Sequence, residues 1–277
     1  MSAKSLDLGE ICKEVIARTN EVGNFILKER DKLNSSDIQK KGFNDLVSYV
    51  DRMSEEKLIM GLLKILPGSG ILGEEGGGNF NSKYTWVIDP LDGTTNFIHR
   101  LPCFAISIGL FENMKPVMGV VNELNFKECF TAIKGKGAKL NGKKIIVSAQ
   151  DNLEDSLIAT GFPYNDFGLQ KEYMKLFEEL MKCTQGLRRL GSASVDLCYV
   201  AMGRFEAFYE YGLKPWDVAG GALIVQEAGG KLSDFSGGED YIFGKSIVAS
   251  NGHLHRAFME IVKKHFKGKM GKLQIGQ

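Results

Sequence analysis

The chain has 277 residues, 43% of them hydrophobic, and 35 basic side chains against 34 acidic ones. That is enough apolar mass for a sizeable core, and the near-zero balance excludes the broad basic face of a typical nucleic-acid binder. Cys12, Cys103, Cys129, Cys183 and Cys198 form no Cys-x-x-Cys pair and are odd in number, which excludes a disulfide framework and predicts a reducing, cytoplasmic setting. No apolar run approaches the roughly 18 residues of a membrane span, and Met1 to Glu10 has no signal-peptide core.

Leu8, Ile11, Cys12, Val15, Ile16, Val22, Phe25 and Ile26 recur at helical spacing, which predicts one long amphipathic helix or two over 6–32. The polar stretch 34–42 predicts a mobile loop, with Lys40 and Lys41 as candidates to close over an anion. A second helix is expected over 51–65, closed by Pro67-Gly68, then strands at about 71–73 and 84–89. Residues 104–112, 116–123 and 127–133 alternate with polar turns and predict an antiparallel meander. Helices at about 169–183, 193–203, 216–228 and 254–266 then alternate with strands near 156–160, 205–211 and 245–249. The pattern predicts layered α and β in one domain over 1–277, in two closely packed halves meeting near 150. Lys263, Lys264, Lys267, Lys269 and Lys272 read as a solvated, frayed end. His253 and His255 lack a third ligand and read as an exposed turn and helix cap; His99 and His265 are likewise unsupported as ligands.

The chemistry concentrates in Trp86-Val87-Ile88-Asp89-Pro90-Leu91-Asp92-Gly93-Thr94-Thr95-Asn96-Phe97. An apolar strand ends in two carboxylates three residues apart. Gly93 frees the backbone, and Thr94 or Thr95 can cap a following helix. Two anions beside a helix N-terminus suit phosphate only with a hard cation between them, and Mg²⁺ fits that role. The same five central residues could also form a plain surface turn, and no calcium-loop ladder is present. Further acids stand in similar settings: Glu74 and Glu75 after the strand Ile71-Leu72-Gly73, and Asp217 in the first turn of the helix opened by Pro215. Each has an ordinary alternative, a solvated loop for the glutamates and an offset to the helix dipole for Asp217.

Gly-Glu-Glu at 73–75, the run 86–97 and Trp216-Asp217-Val218-Ala219-Gly220-Gly221, in this order, resemble the inositol monophosphatase family. Asn44-Asp45-Leu46-Val47-Ser48 and Arg189-Leu190-Gly191-Ser192-Ala193-Ser194-Val195-Asp196-Leu197 extend the resemblance over roughly 40–230. It implies the αβαβα sandwich of the sugar phosphatases and a lithium-sensitive, homodimeric phosphate monoester hydrolase. Two or three Mg²⁺ per site are implied, with Mn²⁺ as a substitute. Glu74, Asp89, Asp92, Asp217 and the Leu91 carbonyl would be the ligands. Hard oxygen donors without Cys or His agree with those ions rather than Zn²⁺. The nucleophile implied is a metal-activated water, oriented by Glu74 and by a Thr94–Asp45 pair. Gly191, Ser192 and Ala193 would line the sugar side, with Glu210 and Asp217 accepting from ring hydroxyls, and Glu74, Leu91, Asp92, Gly93 and Thr94 would complete the substrate-binding set. Ser192 departs from the Thr or Ala expected there, and Glu210 has the alternative of facing water at a strand end. Arg188 and Arg189 could read a second phosphate or form a subunit contact.

The substrate expected is inositol 1-phosphate. Fructose 1,6-bisphosphate is the alternative, and 3′-phosphoadenosine 5′-phosphate ranks lower because Thr95-Asn96 stands where Lys-Glu would be expected. A regulatory binding protein that keeps the fold is the alternative of another class. No membrane and no nucleic-acid partner is expected.

Overall fold

The computed structural model describes residues 6–33, 38–42, 45–163 and 167–269, the side chains at 40–42 and 45–47 excepted. In chain order the elements are α1 (Leu8–Arg30), β1 (Ile38–Gly42), β2 (Asp45–Ser48), α2 (Tyr49–Ile65), β3 (Gly70–Gly73), β4 (Gly77–Gly78), β5 (Tyr84–Asp92), α3 (Thr94–Ile98), β6 (Ala105–Glu112), β7 (Lys115–Glu123) and β8 (Glu128–Ile133). There follow β9 (Ala138–Leu140), β10 (Lys143–Ile145), β11 (Leu157–Thr160), α4 (Gln170–Cys183), β12 (Gly186–Arg188), α5 (Ala193–Ala201), β13 (Ala207–Tyr211), α6 (Pro215–Glu227), β14 (Lys231–Ser233), β15 (Ser246–Ser250) and α7 (His255–Phe266).

Two sheets divide the chain between Ile145 and Leu157. The first has eight strands in the order β10-β9-β8-β7-β6-β5-β3-β4, and the second five in the order β12-β11-β13-β15-β14. α1 and α2 pack on one face of the large sheet, and α6 on the other. α5 and α6 also touch the second sheet, whose far side carries the contacts of α4 and α7. The result is the expected α/β/α/β/α layering. α5 and α6 form the middle layer and are accordingly apolar all round: α5 is buried from Ala193 to Ala201, and α6 from Val218 to Val225.

The middle layer sits close because glycines face each other across it. A Cβ on Gly119 would lie 2.4 Å from the Gly220 carbonyl oxygen, and one on Gly220 would lie 2.9 Å from Ser107 Oγ. With no Cβ at either place, α6 lies directly on β6 and β7, and its first turn arrives beside the end of β5. At the sequence level Gly220-Gly221 reads as helix-weakening; here that cost is offset by close packing.

Three local expectations change. Residues 38–42 form a strand, not a loop, in a hairpin with β2; 34–37 lie outside the described residues, as do the side chains of Lys40 and Lys41. The lysine-rich end is partly tied down, because Lys264 pairs with Glu179 at 2.8 Å and Lys269 with Glu172 at 2.6 Å, joining α7 to α4; Lys272 lies outside the described residues. His255 is buried rather than exposed, its Nδ1 2.9 Å from Ser250 Oγ.

Candidate active site

β5 is buried from Thr85 to Leu91, as the apolar run requires. Its pairing with β6 shifts register between Asp89 and Asp92. Pro90 explains the break: it has no N–H for the ladder, and such residues belong at bulges. In a regular strand, residues three apart point to opposite faces; the bulge lets both carboxylates turn into one space. Gly93 then takes φ +94°, where a Cβ would stand 2.7 Å from the Cys103 carbonyl oxygen. Glycine is therefore required at that turn.

Two more elements deliver the other acids, and a third holds Asp92. Glu74 follows β3, and its N–H donates to the Ile88 carbonyl at 3.2 Å, which fixes it beside β5. The buried Glu55 carboxylate braces this turn by accepting the Glu75 N–H at 3.0 Å, and Gly73 leaves it room, since a Cβ there would lie 2.1 Å from Glu55 Oε1. Asp217 stands in the first turn of α6, where Oδ2 accepts the Lys214 N–H at 2.7 Å. Asp92 reaches the start of α5: Oδ2 accepts from Ser192 Oγ at 2.6 Å, Ser194 Oγ at 2.6 Å and Ser194 N–H at 2.8 Å.

Three of these acids act on Asp89. Asp89 is held well above the ordinary carboxylate range, first by burial and then by the charges of Glu74, Asp92 and Asp217. Its Oδ1 accepts the Leu91 N–H at 3.0 Å, a partial offset. Asp92 is also raised by burial, against the hydrogen bonds from Ser192, Ser194 and Ala193. A buried carboxylate with three acidic neighbours is costly without a countercharge.

Thr94 is not a side-chain cap. Gly93 occupies the N-cap position of α3 with no side-chain bond. The Thr94 hydroxyl instead lies 2.9 Å from Asp51 Oδ1 and 2.9 Å from the Leu91 carbonyl oxygen, with one proton to donate between them. Asp51 is the N3 residue of α2, and its Oδ2 accepts from both the N–H and the hydroxyl of Ser48. Burial raises its pKa against those bonds. The Asp45 side chain, the expected partner of Thr94, lies outside the described residues. Asp51 is a site residue that sequence reasoning missed; its signal was the Ser48-x-x-Asp51 capping pattern.

On the side facing the second sheet, Gly191 takes φ +91°, and Ser192 and Ala193 open α5 against Asp92. Glu210 does not face water: it is buried on β13 and pushed well up, first by burial and then by Asp217, while the Arg189 guanidinium pulls it down. Asp196, also missed as an individual residue, is buried nearby and raised by burial, Glu210 and Asp92. Arg189 thus faces two buried acids, and its guanidinium also lies 5.8 Å from the Phe162 ring centre. Arg188 is exposed and bonds the Leu187 carbonyl.

The model of the inositol monophosphatase family matches residues 7–267. The chain belongs to that family. It is 42% identical to the Nus factor SuhB of Pseudomonas aeruginosa, over 88% of this chain and 92% of that protein. It is 38% identical to the inositol-1-monophosphatase of Mesorhizobium japonicum, with the same coverage. Among solved structures, the extragenic suppressor protein suhB of Bartonella henselae superposes with a TM-score of 0.86 at 37% identity, covering 92% of this chain and 99% of that one.

The donor set of this inositol monophosphatase-family site fits a hard divalent cation. Glu74, Asp89, Asp92, Asp217 and the Leu91 carbonyl offer oxygen alone, and the charged neighbours that act on buried Asp89 are all acids. The side chains are not drawn together as they stand: among the described residues no three His, Cys, Asp or Glu form a group that could hold an ion. Asp92 is turned toward α5 by its three donors, so ligation by it requires a side-chain rotation away from Ser192 and Ser194.

Proposed function

We propose that this member of the inositol monophosphatase family is a Mg²⁺-dependent phosphate monoester hydrolase whose substrate is a polyol monophosphate, inositol 1-phosphate first. The observation that carries the reading is that Glu74 after β3, Asp92 on β5 and Asp217 on α6 all act on the buried Asp89, beside Thr94. Four acids so placed repel a phosphate, and a structural role would not gather them. The chemistry a bound Mg²⁺ supplies is charge, which lets the phosphoryl group approach and polarises the attacking water. Glu74, Asp89, Asp92, Asp217 and the Leu91 carbonyl would hold it.

The chain's own residues account for the rest. Thr94, with its hydroxyl between Asp51 and the Leu91 carbonyl, orients the water, and Glu74 takes its proton. Asp45 is expected to share the Thr94 side of this relay. Glu210 and Asp217 accept hydrogen bonds from substrate hydroxyls, with Gly191, Ser192 and Ala193 forming the wall beside them. A ring bearing several hydroxyls answers such acceptors better than a flat base does. The same reading expects a cytoplasmic homodimer inhibited by Li⁺; among the described residues no helix is long and apolar enough to cross a membrane.

The test is a release assay for inorganic phosphate over inositol 1-phosphate, fructose 1,6-bisphosphate and 3′-phosphoadenosine 5′-phosphate, with Mg²⁺ and with chelator. Mg²⁺-dependent release that is fastest from inositol 1-phosphate supports the reading, and equal release in chelator refutes it. The name of the Pseudomonas relative, a Nus factor, favours a second reading in which the fold acts through a partner. An Asp89→Asn allele that abolishes turnover yet fully restores a deletion strain would favour that one.

A further inference from the structure

A groove of about 820 Å³ lies on the opposite face of the large sheet from α6, between α1 and strands β7 to β9. None of its lining residues belongs to the acid cluster. It exists because α1 crosses β7 and β8 while the β9–β10 hairpin continues the sheet past it. The helix is pinned at Gly23, where a Cβ would meet Leu124 Cδ2 at 2.6 Å, and at Asn20, whose Oδ1 accepts from Asn122 Nδ2 at 3.0 Å.

Lys13, Lys127, Lys136 and Lys139 line this groove against one acid, Glu123. Glu123 is already engaged, accepting from Asn125 Nδ2 at 2.8 Å and from the Phe126 N–H at 2.6 Å. Lys13 pairs with Glu10 at 2.7 Å, but among the described residues Lys127, Lys136 and Lys139 enter no ion pair. Lys136 is carried by a fixed loop, since the Glu227 carboxylate accepts the N–H groups of Gly135 and Gly137 at 2.8 Å each. The Lys139 ammonium lies near enough to Cys12 to act on its thiol across the groove. Lys127, Lys136 and Lys139 are exposed, and like charges on one concave wall repel one another until an anion meets them.

The other wall differs. Ile16, Leu27, Leu124 and Ile133 give it an apolar lining, and Asn24 adds a carboxamide, while that of Asn141 is spent on the Cys129 N–H and the Lys127 carbonyl. A cavity of several hundred cubic ångströms with an apolar lining and a few convergent polar groups is the usual form of a small-molecule site. The charge fixes the ligand class. A single phosphate carries about −1.5 to −2 at neutral pH, which leaves the lysine excess unmatched. A diphosphate matches it, and the apolar lining calls for a ring beyond the phosphates.

We propose that this groove is a second ligand site of the protein, taking an organic diphosphate of nucleoside diphosphate size, with its phosphates on Lys136 and Lys139 and its ring over Ile16 and Leu124. Hydrogen–deuterium exchange with ADP as the probe, in chelator so that no metal complex enters the acid cluster, tests it on the full chain. Slowed exchange in 9–27 and 127–142 is the expected result, with adenosine alone giving none. Lys136→Glu combined with Lys139→Glu should weaken that binding by about tenfold or more, and Ile16→Trp should block it by filling the groove. Both variants should retain the wild-type circular dichroism spectrum and their phosphate-release activity without ADP. No protection, protection confined to 74–94 and 192–217, or equal protection by adenosine would each overturn the proposal; so would unchanged ADP protection in both variants.

Discussion

Two regions of the eight-stranded sheet carry opposite charge. At the ends of β3 and β5 and the start of α6, Glu74, Asp92 and Asp217 surround the buried Asp89. On the α1 face, Lys13, Lys127, Lys136 and Lys139 line an open groove. A chain whose formal net charge is +1 therefore presents two local regions of opposite charge. Burial makes the difference. Asp89 is buried among three other acids, so their charge needs a cation between them and a phosphate. The lysines are solvated on their outer side and can meet an anion directly.

The acid face gives the largest expected effects. Chelator should abolish phosphate release while the circular dichroism spectrum stays unchanged, because the proposed ligands stand at element ends and no apolar core depends on them. Asp89→Asn and Asp217→Asn should each lower turnover by several orders of magnitude. In chelator, Asp89→Asn should melt at the same temperature as wild type or higher, since it removes one of four like charges. A large fall in melting temperature would show instead that Asp89 is a packing residue. For Asp217→Asn the dipole role alone allows a loss of only about 0.3–1 kcal/mol.

Next comes Thr94. Thr94→Ala should cut turnover by about 10²–10⁴-fold with substrate affinity nearly unchanged. Asp45→Asn should do the same, and the double variant should lose little more, because residues acting as one unit are non-additive. Asp51→Asn separates the two possible partners: it disturbs the cap of α2 and should cost about 1 kcal/mol of stability, and it lowers turnover as much as Thr94→Ala only if Asp51 is the partner that matters. Multiplicative losses in the Thr94–Asp45 pair, seen in steady-state kinetics, would remove Asp45 from the relay.

His255, in neither charged region, calibrates both. Burial, with Lys231 and Lys263 nearby, lowers its pKa to about 4, below the unfolded value of about 6.5. The unfolded chain thus takes up the proton first as pH falls. The neutral-His contribution is complete above about pH 6.5 and is lost as pH drops toward about 4, on the order of 1–3 kcal/mol in all. Denaturant melts across that window should show the slope, and His255→Gln should flatten it. The smallest effect belongs to the lysine face. Reversing Lys136 and Lys139 should change basal turnover by no more than about twofold at physiological salt, where exposed charges act over only about 8 Å; a larger change would mean that the two faces are coupled through the sheet.

Much of this molecule was legible in the residues. Helical periodicity marked α1 and α2, and alternation marked β6 to β8. The order of Gly-Glu-Glu, the run 86–97 and Trp-Asp pointed to the acids proposed as metal ligands before any contact was known. These are local signals: an apolar run, a proline that ends a ladder, a glycine that turns the chain. Short strands were missed, β9, β10, β12 and β14 among them, because three residues hold too little pattern to stand out from a loop. The Ser48 to Asp51 cap was present in the sequence but read only as part of a motif.

What the tertiary structure alone decided is which residues meet. The pairing of Thr94 with Asp51 joins positions 43 residues apart, and Asp92 turns to Ser192 and Ser194 across about a hundred. Glu210 and Asp196 became site neighbours only when β13 and α5 packed beside the first sheet. The lysine groove could not be read at all, since Lys13 and Lys139 lie on elements with no shared local pattern. The sequence determines backbone form and chemical type within a few residues, where sterics and periodicity act. Long-range encounters depend on how layers close. Here that closure turns on Gly119 and Gly220, whose missing side chains let α6 approach the sheet and carry Asp217 to the end of β5.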